Sequence, residues 1–244
     1  MSQKSRDRIA VVTGVTSGIG QSLTGRLLAE GMTVAGIARD SHRLSAAAEF
    51  WGESFHPFLA DLSVPGAADT CADAVTRQLS RVDILVNNAA DCVFEPPSTL
   101  PTERWRSLLE TNLLACVALT RGLLPAMGAA GHIVNVSSVT ARFLPASGYG
   151  PYALTKAALE HFTAALRLEL STTRTKVSLL ALGLVDTPIH HKVPGFESTR
   201  TRLAEHVPDW LHPDDVADTV HWLVTRPEHV VVGETLLLPL RQPR

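Results

Sequence analysis

The chain has 244 residues, 45% hydrophobic and 19% charged, with a net charge of −2 at pH 7. This composition excludes disorder as the dominant state, and the length suits one large α/β domain with a substantial core. A near-neutral balance with scattered arginines gives no basis for a nucleic-acid or membrane partner. Cys71, Cys92 and Cys116 are widely spaced and form no C-x-x-C or Cys/His ligand pattern. Free thiols in a reducing compartment are expected, and no structural metal. The polar start, residues 1–8, lacks the apolar run of a signal peptide, and no apolar stretch reads as a membrane span. A soluble, cytoplasmic protein is the expectation.

Strand-length apolar runs alternate with segments of helical period, which predicts repeated βαβ units and a parallel sheet. Residues 9–13 read as the first buried strand and 18–30 as the helix it feeds, with Gly31 placed to end that helix. The second strand is 33–38, followed by a helical crossover at 41–50 with alanines on its packing face. A short strand at 55–59, a helix at 67–81 and a strand at 84–87 come next. A long helix is predicted over 103–124, with Asn112 near its middle. Beyond it lie a strand at 132–137, a helix at 152–170 and a strand at 176–182. Pro213-Asp214-Asp215 reads as a helix N-terminus, since proline suits the first turn and acids complement the macrodipole. That helix should reach about Thr225, and 234–238 would be a last strand. No repeat or linker divides the chain, so a single domain is expected. The irregular stretch 183–205 is long for a connection in such a fold, and long loops just beyond a strand's carboxyl end are usually binding loops.

Thr13-Gly14-Val15-Thr16-Ser17-Gly18-Ile19-Gly20 follows a strand and opens a helix. Glycines there allow a tight turn and let a pyrophosphate approach the outward-pointing N–H groups of the helix start. Tyr152 and Lys156 stand four apart on one helical face, where an ammonium beside a phenol favours its ionised form. Such a pair is common on exposed helices, so by itself it says little. With Asn87-Asn88-Ala89-Ala90 mid-chain and Asn135-Val136-Ser137-Ser138 before the tyrosine, the set resembles the short-chain dehydrogenase/reductase family over essentially the whole length.

That resemblance implies a single-domain Rossmann fold, a doubly wound parallel sheet of about seven strands with helices on both faces. It implies a tetrad of Asn112, Ser138, Tyr152 and Lys156. Ser138 would donate to the carbonyl oxygen that gains charge, and Tyr152 would deliver the proton as general acid. Lys156 would hold the tyrosine pKa down and bind the nicotinamide ribose, and Asn112 would order a water leading to solvent. Ser137 and Tyr149 compete for two of these places; the family motif favours Ser138, and Tyr149 has Ala153, not lysine, four residues on.

The cofactor would be NADPH or NADP+. Ala38 stands where family members choosing NAD usually carry an aspartate, while Arg39 can pair with a 2′-phosphate; Asp40 adjoins this site. The implied cofactor residues are Gly14, Ser17, Gly18, Ile19, Gly20, Arg39, Asp61, Leu62, Asn88, Ala89, Tyr152, Lys156, Val185 and Thr187. For the small-molecule carbonyl or alcohol substrate, Phe94, Ser138, Leu144, Ser147, Tyr149, Tyr152, Leu184, His190, His191 and Phe196 are candidates. His190 and His191 read more as loop surface than as ligands or bases, and Arg142 or Lys192 could reach a substrate carboxylate. The pattern departs from the family at Ala90, usually glycine, and at Leu182, usually proline. Residues 226–239 resemble the ending of an NADP-dependent branch holding 3-hydroxy-acid and serine dehydrogenases and a clavulanate-forming aldehyde reductase. A reductase of a ketone or aldehyde, such as a secondary metabolite, leads; oxidation of a 3-hydroxy acid and a non-catalytic dinucleotide-binding sensor or scaffold are the alternatives. A homotetramer or homodimer built on the two long helices is implied as well.

Overall fold

A computed structural model describes residues 8–192, 201 and 205–242. Seven strands form one parallel sheet in the order β3-β2-β1-β4-β5-β6-β7. They are β1 (Ile9–Thr13), β2 (Thr33–Ala38), β3 (Phe55–Leu59), β4 (Val82–Asn87), β5 (Met127–Ser138), β6 (Lys176–Leu182) and β7 (Glu234–Leu237). The helices are α1 (Gly18–Ala29), α2 (Ser41–Trp51), α3 (Ala67–Leu79), α4 (Thr102–Leu109), α5 (Ala115–Leu123), α6 (Gly150–Glu169) and α7 (Pro213–Val224).

Period-two alternation splits each strand between two cores. Ala10, Val12, Ile84, Val86, Val134 and Leu180 face α1, α2 and α7, where Leu23, Leu27, Leu44 and Val220 are buried. Val11, Ile37, Leu85 and Ile133 face the other way, against Cys71 and Val75 of α3, Leu119 and Leu123 of α5, and Leu166 of α6. Both faces are covered, so the strands read as near-continuous apolar runs. Strand order reverses between β1 and β4, and the turns leaving these two strands part there to make a crevice.

Two elements differ from the sequence reading. The long helix has its expected extent but is interrupted by a π-helical turn, Glu110–Leu114, centred on Asn112. Hydrophobic periodicity is blind to one extra residue in a turn. Strand β5 starts at Met127, earlier than expected, because Met127 pairs with Val82 before the register shifts. The stretch Thr102–Ala126 is, moreover, long and apolar enough to cross a membrane by composition. Its apolar side packs against α3 beneath the sheet, which accounts for that composition.

At the amino edge of the sheet, His132 on β5 is completely buried. Ser178 Oγ gives its single proton to the Val232 carbonyl at 2.6 Å, so His132 Nε2, 2.8 Å away, is the donor to Ser178. Nδ1 is then a buried lone pair without a partner, and a second proton there would find no acceptor. Burial, with repulsion from Lys176 and Arg8, pushes this imidazole down to about 3. The unfolded chain takes up that proton near pH 6.5, so His132 contributes stability above that value and loses it as pH falls towards about 3. Urea unfolding at pH 7 and pH 5 should show a smaller loss of stability for His132→Gln than for the wild type; equal losses would refute this account.

Candidate active site

The crevice is built first from the turn after β1. Gly14 and Gly18 have φ of +77° and +50°, the left-handed region that favours glycine. A Cβ at Gly20 would lie 2.2 Å from the Gly14 carbonyl oxygen, so the first turn of α1 can nest against the loop only without a side chain. Ser17 precedes α1 with an extended backbone and makes no side-chain cap, and the first turn carries no acid. The N–H groups of that turn therefore remain directed outward with no local negative charge against an anion. Ile19 packs on the core behind the turn. From β4, the Asn88 and Ala89 N–H groups both donate to Thr13 Oγ1, at 2.9 and 2.8 Å, and Asn88 Nδ2 donates to the Thr13 carbonyl at 2.8 Å. These bonds seam the two sides of the switch point together.

Arg39 is exposed just past β2, and its guanidinium helps hold down the Asp61 carboxyl, after the larger effect of bonds from the Ser63 N–H and hydroxyl. Asp40 accepts from the Arg43 N–H at 3.0 Å and caps α2, which separates its role from that of Arg39. Leu62 and Val185 were expected at the cofactor, but both side chains are buried in the core, leaving only their backbone to the crevice. Thr187 lies over the glycine turn, with its methyl 3.2 Å from where a Gly18 Cβ would stand. A glycine cradle, an uncapped helix start and an exposed arginine beyond β2 are what a dinucleotide bearing a 2′-phosphate requires, so the residues fit such a cofactor.

Tyr152, Lys156 and Ser138 meet at the carboxyl end of β5. The Tyr152 hydroxyl hydrogen-bonds Ser138, while Ser138 Oγ also accepts from Thr140 Oγ1 at 3.0 Å. Ser137 is excluded from the role by its own contact, since it donates to Glu160 at 3.0 Å. Lys156 is buried, donates to the Val136 carbonyl at 2.8 Å, and lies 5.8 Å from the centre of the Tyr152 ring. Burial lowers its pKa. The same burial pushes the Tyr152 pKa up, reinforced by Cys92 and opposed by the Ser138 bond. This reverses the expectation of a lysine-depressed phenol: desolvation dominates at the half-buried tyrosine, and the ammonium is engaged by a carbonyl.

Asn112 is fully buried in the π turn. Its Oδ1 accepts from the Asp91 N–H at 2.7 Å, and Nδ2 donates to the Asp91 carbonyl at 2.8 Å and to Thr155 Oγ1 at 3.0 Å. Thr155 in turn donates to the Tyr152 carbonyl at 2.7 Å. The side chain thus ties the β4 loop to the tyrosine's helix.

Against Tyr152 packs a small apolar cluster of Cys92, Phe94, Ile189 and Trp210. Phe94 meets the Tyr149 ring edge-on at 5.0 Å. Cys92, Ile189 and Trp210 escaped the sequence reading because nothing local marks them; Trp210 arrives only because Leu211 bridges to Val185. His190 is half-buried, not loop surface: Nε2 is 3.0 Å from the Val185 carbonyl and the ring stacks edge-on with Trp210 at 5.4 Å. Leu184 is half-buried at the loop root, whereas Leu144 is exposed and not part of the cluster. Ser147 begins a 3₁₀ turn, Ser147–Tyr149, and His191 ends up in another, Pro188–Lys192. Phe196 lies outside the described residues. Arg142, suggested as a carboxylate clamp, is paired with Glu160 at 2.9 Å and with Glu234.

The sequence pattern of the short chain dehydrogenase family matches residues 8–197. The chain belongs to that family. It is similar to serine 3-dehydrogenase of Agrobacterium fabrum, 31% identical with 95% of this chain and 94% of that protein covered. The NADP-dependent 3-hydroxy acid dehydrogenase of Escherichia coli K12 is 30% identical, with 96% of each chain covered. Among solved structures, the closed form of serine dehydrogenase complexed with NADP+ superposes with a TM-score of 0.86 at 28% identity, over 97% of this short chain dehydrogenase and 96% of the other chain.

The cradle yields a direct contrast between two glycines of α1. Gly20→Ala must displace backbone and should cost about 1–3 kcal/mol. Gly25, with nothing within 4 Å of a built Cβ, should accept alanine with a gain of about 1 kcal/mol. Chemical unfolding of the two variants checks the nesting; equal effects would remove it.

Proposed function

We propose that this chain is an NADPH-dependent reductase of ketones or aldehydes, with Tyr152 as proton donor. The observation that carries this reading is the meeting of the half-buried Tyr152 hydroxyl with Ser138 beside the buried Lys156 at the carboxyl end of β5. Such a phenol holds its proton at neutral pH, as a general acid must. Bound NADPH would supply the hydride. As negative charge grows on the carbonyl oxygen, Ser138 and Tyr152 lie together to donate to it, and an alkoxide is basic enough to take the proton even from a weakly acidic phenol. The Lys156 ammonium beside the ring offsets the charge left on the phenolate. Arg39 would take the 2′-phosphate and the α1 N-terminus the pyrophosphate.

A second reading, oxidation of a 3-hydroxy acid, has support from the names of the relatives. It would need a cation for the substrate carboxylate. Arg142 is committed to two glutamates, the side chain of Lys192 lies outside what is described, and an apolar cluster of Cys92, Phe94, Ile189 and Trp210 flanks Tyr152. We therefore favour a carbonyl compound with an apolar body. A homotetramer or homodimer through the two long helices, the one carrying the π turn at Asn112 and α6, also forms part of this reading, supported by the exposure of Leu114, Leu154 and Leu168; a monomer in light scattering would remove it.

The leading test is NADPH oxidation followed at 340 nm with aryl and alkyl ketones, aldehydes and 3-keto acids. Tyr152→Phe should lower turnover about 100-fold or more while NADPH still binds. Retained turnover would remove Tyr152 as the proton donor, whereas NADPH binding with no turnover of any of these carbonyls would favour the non-catalytic alternative. Arg39→Asp should weaken NADPH binding about tenfold or more and leave NADH binding far less affected; equal losses would defeat the cofactor assignment.

A further inference from the structure

The C-terminal turn reaches back to the root of the loop that carries Thr187. Beyond β7, Pro239 is buried, Leu240 is 97% exposed and Arg241 is exposed, yet Gln242 is half-buried again. The turn is closed by the Gln242 N–H donating to the Pro239 carbonyl at 3.0 Å. Its outcome is to bring Gln242 Oε1 within 2.8 Å of the Leu184 N–H. Gly183 makes that approach possible, because a Cβ there would sit 2.3 Å from the same oxygen.

Leu184 is the first residue past β6 that does not pair with β7. Gly183 N–H still reaches the Leu237 carbonyl at 2.9 Å, continuing the sheet by one bond. The Leu184 carbonyl accepts from Leu211 at 3.1 Å, and Asp186 N–H donates to Leu211 at 2.8 Å. So Leu184 is held on one side by the returning chain at Leu211 and on the other by the tail. Three residues on, Thr187 projects over Gly18. Only Val185, anchored in the core, and Asp186 separate Leu184 from Thr187, so where the Leu184 peptide is held bears on where Thr187 stands relative to the glycine turn.

We propose that Gln242 is a positioning residue for the nicotinamide end of the cofactor site, acting through the Leu184 N–H on the segment that ends at Thr187. This rests on the proposed function, with Thr187 among the residues of the NADPH site beyond its Arg39 end. The side chain needs only to accept a hydrogen bond, so the acceptor, not the amide, is the requirement.

The test compares Gln242→Leu with Gln242→Glu, which keeps an acceptor oxygen at the same reach. Binding is measured by titration calorimetry for NADPH and for 2′,5′-ADP, which occupies the Arg39 end alone. Gln242→Leu should weaken NADPH about five- to tenfold, the loss of one backbone hydrogen bond, and leave 2′,5′-ADP unchanged. Gln242→Glu should restore NADPH to within about twofold of the wild type. Equal weakening of both ligands would show a general structural role and overturn the proposal, as would NADPH binding indifferent to either substitution. A wild-type protein that binds neither ligand would bring down the functional reading itself, a distinct result.

Discussion

A parallel sheet covered by helices on both faces confines polar chemistry to its edges. Alternate side chains of every central strand are spent on one of two cores, leaving chain ends and loops to carry function. The carboxyl edge becomes the site because the connections leaving β1 and β4 diverge there, and the seam from Thr13 to Asn88 and Ala89 keeps that divergence fixed. The amino edge shows the same confinement with a different result. His132 is sealed in its neutral form and serves stability, with no opening to a ligand.

Within the site, burial decides the electrostatics. Tyr152 and Lys156 are both desolvated, so each is biased towards its neutral form. In the proposed function, a phenol that keeps its proton would donate it where Ser138 also meets the carbonyl oxygen that gains charge. Asn112 contributes by geometry. Its amide joins the loop at Asp91 to Thr155, one turn of helix from the tyrosine. The π turn delivers that amide inward, at the expense of regular helix.

The walls of the site come from distant parts of the chain. Phe94 leans on Tyr149, while Trp210 is delivered by the bridge between Leu211 and Val185 and braces His190. The tail closes the arrangement through Gln242 at Leu184. Arg142 is paired with Glu160 and Glu234, and this pairing helps shape the loop after β5.

The sequence by itself determined the strand and helix order, the glycine cradle and the four residues brought together around Tyr152. These are written in local signals: apolar periods of two and about 3.6, breaker residues, and motifs whose members fall close along the chain. The motif already favoured Ser138 over Ser137; the tertiary structure added the physical reason, since Ser137 donates to Glu160 from another element. It also turned Asp40 into a helix cap and withdrew Arg142 from the substrate. The direction of the Tyr152 shift, the π turn at Asn112, and the parts played by Cys92, Trp210 and Gln242 were likewise tertiary outcomes. Each depends on burial or on partners remote in sequence, and neither desolvation nor a long-range hydrogen bond leaves a mark on the residues next in the chain.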